Sequence, residues 1–103
     1  MKIKFKLNQH QLQVWISCLE SCWMVPGNDS TTVVKMVYHA LSKLIHKLQS
    51  ENLTRKSDYN FSIDSIEALA FVAHIQQYTS YILNPVDTVI INEIIGIIDQ
   101  KTK

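Results

Sequence analysis

Two cysteines, Cys18 and Cys22, lie four positions apart, and four histidines, His10, His39, His46 and His74, are spread along the chain. Thiolate and imidazole are the side chains that hold zinc, and a cysteine beside a base is a nucleophile. Helical i, i+4 spacing sets both thiols along one side of a helix. A structural zinc site takes four ligands, however, and these two cysteines lack the Cys-x-x-Cys knuckle that wraps a metal. Cys22 also falls in an apolar stripe with Leu12, Trp15, Ile16, Leu19 and Trp23, the setting of a buried structural cysteine. No second group that would orient a histidine for proton transfer is spaced to do so. Asp64 and Glu67 have the spacing of a helix cap and its capping-box partner rather than of an acid/base pair. The sequence therefore predicts no catalytic residue, no metal, no cofactor and no enzymatic activity.

Binding chemistry has two candidates. Lys35, His39, Lys43, His46 and Lys47 form a row of donors on one side of the second helix, able to follow a line of phosphates. A charged row opposite an apolar stripe is also what any amphipathic helix carries, and only Tyr38 offers an aromatic ring for base stacking between Ser30 and Thr54. The second candidate is apolar. In the last helix Ile90, Ile91, Ile94, Ile95, Ile97 and Ile98 cover about 160° of the surface, wider than the ≳100° stripe that one neighbour covers. Such a helix needs a second covering surface, inside the fold or on another chain. Ile91, Ile94, Ile95 and Ile98 are the residues expected at a contact with a second copy.

The elements that would carry these residues follow from periodicity. Ile3, Phe5 and Leu7 alternate with lysines, which predicts a short strand with one apolar face. Asn8 followed by Gln11 has the form of a capping box, so a helix starts there and runs to the Pro26-Gly27-Asn28-Asp29 break. Ser30 or Thr31 starts a second helix with an apolar stripe of Val33, Val34, Val37, Ala40, Leu41, Leu44, Ile45 and Leu48. A shift of 56 positions lays Phe5 to Asn8 over Phe61 to Asp64 and Gln11 over Glu67. The same shift lays Leu12, Trp15, Ile16, Leu19 and Cys22 over Ala68, Phe71, Val72, Ile75 and Tyr78. Pro85 after Asn84 suits a fourth helix start, since its missing N–H costs nothing there. Thr88 to Ile91 taken alone would read as a strand, but the isoleucine spacing is helical. Gly96 weakens that helix by about 1 kcal/mol relative to alanine.

The fold expected is mainly α: four helices as two pseudo-repeated helical hairpins, each preceded by a short strand, with Ile3–Leu7 and Tyr59–Ile63 pairing as a small ribbon. Residues 1–103 form a single domain, with repeats at about 2–50 and 59–103 joined by a loop at 51–58. At 103 residues the chain has room for one domain, and 47% apolar content supports a core.

Ten basic and nine acidic residues give a net charge of +1, too balanced for a partner attracted by overall charge. The halves differ: residues 1–56 carry eight Lys/Arg against three Asp/Glu, or +5, and residues 57–103 carry two against six, or −4. The longest apolar run, Ala68–Ala73, is far below the ~20 residues of a membrane span. Met1 to Lys6 has no continuous apolar stretch of the kind a secretory signal needs, and two close-set cysteines suit a reducing compartment. The expected setting is cytoplasmic, without membrane contact, so the three glycosylation-type sequons read as chance. The function expected is a small non-enzymatic protein-interaction module, homodimeric through the isoleucine-rich last helix. The alternative is a nucleic-acid-associated regulator that uses the basic face of the second helix.

Overall fold

The computed structural model describes residues 2–21, 31–54, 57–75 and 85–102. Cys22, Trp23, the Pro26–Asp29 break, Ser30, Tyr78 and Asn84 lie outside the described residues. The described chain is mainly helical. In order it holds a strand β1 (Lys2–Asn8), helices α1 (Gln9–Ser21) and α2 (Thr32–Asn52), a strand β2 (Asp58–Asp64), and helices α3 (Ser65–Ile75) and α4 (Pro85–Lys101).

Strand β1 passes into α1 without a loop, and the capping box makes this sharp change of direction. The Asn8 backbone N–H donates to Gln11 Oε1 at 2.9 Å, and the Gln11 N–H donates to Asn8 Oδ1 at 2.8 Å. Two N–H groups that lack helical partners are thereby satisfied reciprocally. At the second junction Asp64 Oδ1 accepts from the Ile66 N–H at 2.9 Å. Helix α2 is capped by Thr31, whose Oγ1 accepts from the Val34 N–H at 3.3 Å.

The two strands pair antiparallel, and their register centres on Phe5 opposite Phe61, from Lys2 opposite Asp64 to Asn8 opposite Asp58. Because side chains alternate across a strand, Ile3, Phe5, Leu7, Tyr59, Phe61 and Ile63 all face the helices and are buried. An isolated two-stranded ribbon is marginal in water, so this one depends on the layer behind it. That layer meets it through rings. Phe5 stacks on Phe61 at 5.9 Å between centroids, Trp15 of α1 tilts against Phe5 at 5.1 Å, and Phe71 of α3 tilts against Trp15 at 5.4 Å. Tyr59 is buried with them, and its hydroxyl donates to the Thr54 carbonyl at 2.8 Å.

Around this line of rings one continuous core collects Leu12, Val14, Ile16, Cys18 and Leu19 from α1, and Leu41, Leu44 and Leu48 from α2. Helix α3 adds Ala68, Phe71, Val72 and Ile75, and α4 adds Ile91, Ile94 and Ile98. Helix α1 packs on α2 and on α4, and α3 packs on α2 and on α4. Half-buried Ile90, Ile95 and Ile97 pack at the core's margin, so the whole isoleucine arc of α4 is turned to its own chain. The stripe of α2 behaves differently: its second half is buried, while Val33 is 68% exposed and Met36 beside it 64%.

Two stability measurements test this account. Phe5→Ala removes a ring that touches two others, and urea denaturation should show a loss of about 3–5 kcal/mol. Gly96→Ala should do the reverse. Gly96 is exposed, and a Cβ there meets nothing within 4 Å. The expected gain is about 0.5–1 kcal/mol, read as a rise of roughly 2–8 °C in Tm by calorimetry.

Candidate functional site

The alternation that buries Ile3, Phe5 and Leu7 turns Lys2, Lys4, Lys6 and Asn8 to solvent, and all four are exposed. On β2 the outward side chains are Asp58, Asn60, Ser62 and Asp64. The register sets Lys4 opposite Ser62 and Lys6 opposite Asn60, so the middle of the ribbon's outer face is a patch of hydrogen-bond donors. A shallow depression over Phe5 and Phe61 is rimmed by these same four polar residues. The lysines repeat every second residue, about 7 Å apart along the strand. Carboxylates occur only at the ends of this face, with Asp58 across from Asn8 and Asp64 across from Lys2.

The basic residues of the second helix are also on the surface: Lys35, His39, Lys43, His46 and Lys47 are all exposed on α2. They do not stand alone. His39 and Lys43 share a groove between α2 and α3 with Asp64 and Glu67 of the acidic half, together with Met36, Ala40 and Ile66. Opposite charge from the same chain therefore sits within the reach of this row and competes with an external anion. At the other end of the same helix pair, Val33, Val34, Val37, Tyr38 and Leu41 of α2 face Ala73 and His74 of α3 across a second apolar groove.

The residues expected to meet a second copy are placed inward. Ile91, Ile94 and Ile98 are buried in the chain's own core and Ile95 is half-buried at its edge. What α4 leaves exposed and apolar is Val86 and Val89 in its first turn and a half. Cys18 is fully buried, which removes it from the reach of solvent and substrate. Among the described residues no group of three or more His, Cys, Asp or Glu side chains could hold a metal ion, and no helix is long and apolar enough to cross a membrane.

Two surface features escaped the reading of residue patterns. The alternation at residues 2–7 specifies an exposed lysine face as much as a buried apolar one, and pairing with β2 sets that face beside Asn60 and Ser62. On α3, Ile66 and Leu69 are 70% and 46% exposed. Their signal was the spacing Ile66, Leu69, Ala73, a second apolar stripe beside the buried one.

No protein-family model, no curated protein and no solved structure matches this chain. Function therefore has to be argued from the geometry of these surfaces.

Proposed function

We propose that the protein is a non-enzymatic binder of duplex DNA that presents the outer face of its β1/β2 ribbon to the major groove. The observation that carries this reading is the row Lys2, Lys4 and Lys6 on the exposed side of a two-stranded antiparallel ribbon, with Asn60 and Ser62 beside it. The B-form major groove, about 12 Å wide, admits such a ribbon. Lysine donates to guanine O6 and N7, asparagine pairs with adenine, and serine serves either base. The deep, narrow major groove of A-form RNA does not admit it, so the substrate class is double-stranded DNA. A net charge of only +1 leaves the affinity to this local row rather than to the field of the whole molecule. The work place that suits it is a reducing, cytoplasmic compartment, in keeping with two closely spaced cysteines.

In this reading the chain is two strand-helix-helix units related by an approximate two-fold axis, one unit supplying each strand of the ribbon. Residues 56 positions apart meet each other twice, Phe5 with Phe61 and Trp15 with Phe71, as side chains near such an axis must. The choice of helix neighbours supports this reading, because exchanging the units converts α1 on α4 into α3 on α2, and α1 on α2 into α3 on α4, although α2 and α3 pack the more extensively. Both strands are thus held on one chain and are free to differ. One is basic and the other polar with acidic ends.

The basic row of α2 is the weaker candidate, because Asp64 and Glu67 share its groove. Fluorescence anisotropy with labelled duplexes separates the surfaces. Lys4→Ala/Lys6→Ala should weaken DNA binding and lower the slope of log K against log salt by about 2. Lys35→Ala/Lys43→Ala should change both much less. Asp58→Asn, which removes a carboxylate from the end of the ribbon face, should tighten binding. Equal affinity for duplex RNA, or ribbon variants that bind like the parent, would refute the reading.

A further inference from the structure

Exposed apolar residues of α2 and α3 adjoin each other: Met36 and Ala40 line one groove with Ile66, and Val33 lines another with Ala73. Val33, Met36 and Ala40 follow one another at i, i+3 and i+7 on α2, and Ile66, Leu69 and Ala73 do so on α3. The helices are packed together and run in opposite directions: Val33 and Val34 share a groove with Ala73 and His74, while Met36, Ala40 and Lys43 share one with Asp64, Ile66 and Glu67. Val33, Met36, Ile66 and Leu69 are 68%, 64%, 70% and 46% exposed, although each is large and apolar. Single exposed apolar residues are ordinary, but two adjoining stripes of them mark an interaction surface.

The charges beside this face identify its occupant. On the α2 side lie His39 and Lys43, and on the α3 side, at the same level along the groove, lie Asp64 and Glu67. A foreign partner would have to carry the matching acidic and basic edges in the matching order. A second copy of this chain carries them already. Rotation by 180° about an axis along the groove puts α2 of one copy over α3 of the other without changing the level, so His39 and Lys43 of each copy come opposite Asp64 and Glu67 of its mate. Met36, Ala40 and Ile66 line the same groove as these polar groups and meet in the same contact, which is the self-complementarity that an isologous interface requires.

We infer that the α2/α3 face, rather than the isoleucines of α4, joins two copies into a two-fold dimer, a role separate from the ribbon's. Such a dimer would carry two ribbons on one particle.

Sedimentation equilibrium of the full chain tests this. The expected mass is about 24 kDa, twice the 11.9 kDa of one chain, with dissociation to the single-chain mass in Met36→Asp/Ile66→Asp. Both positions are exposed, so the circular dichroism spectrum should stay that of the parent, and the thermal midpoint should lose only the concentration-dependent part that association supplies. A charge exchange gives an independent arm. Lys43→Glu alone and Glu67→Lys alone should each weaken the dimer by about tenfold or more, since two-fold symmetry places each substitution in the interface twice, and Lys43→Glu/Glu67→Lys together should restore it. A single-chain mass at every concentration overturns the inference. So does a dimer whose dissociation constant ignores both the apolar and the charge variants, because it would be held by another face.

Discussion

The line of rings Phe61, Phe5, Trp15 and Phe71 is the contact on which the rest of the fold depends. A two-stranded ribbon has hydrogen bonds along only one side of each strand and one apolar face to bury, so its stability is borrowed from what lies behind it. Here the rings join β2 to β1, β1 to α1 and α1 to α3 in one continuous contact. Aromatic pairs in tilted or offset geometry contribute about 0.5–1.5 kcal/mol each beyond the area they bury. The arrangement carries a cost as well. Trp15 Nε1 is buried with no hydrogen-bond partner, a penalty of about 1–3 kcal/mol. A fully buried indole is kept where its size outweighs that penalty.

From this anchoring follows the character of the opposite face. With Ile3, Phe5 and Leu7 held against the helices, strand alternation leaves no choice but to turn Lys2, Lys4 and Lys6 outward. The ribbon's back is packed against the helices and its front is left to solvent. The same division separates the two proposed contacts: DNA would be met by charge on a strand pair, and a second copy by a groove that holds apolar, basic and acidic side chains together. The contrast between the basic first half and the acidic second half also acquires a place in space. Lys43 and His39 of one half share a groove with Asp64 and Glu67 of the other, so the asymmetry of charge along the chain becomes proximity of opposite charge in the fold.

Local features were legible wherever the partner lies within a few residues. Asn8 and Gln11 announced their reciprocal hydrogen bonds, Pro85 a helix start, and the spacing of the α4 isoleucines a helix where β-branched content alone suggested a strand. The destination of an apolar stripe was not legible in the same way. The width of the α4 arc signalled the need for two covering surfaces, and both are found within the chain. The α2 stripe looked like a core stripe from end to end, yet only Leu41, Leu44 and Leu48 are buried, while Val33, Val34 and Met36 are exposed even though they line grooves shared with α3. Periodicity reports that a face is apolar and is silent about how far its neighbours extend.

By itself the sequence determined the kind and order of the elements, their caps, and which side of each strand is apolar, since these depend on residues within one or two turns of each other. Tertiary structure alone decided that Phe5 lies opposite Phe61, that the isoleucines of α4 are turned to their own core, and that Met36 and Ile66 share one exposed groove. Those outcomes depend on helix lengths and packing angles between segments 56 positions apart and more, and no short-range pattern of residue types encodes them.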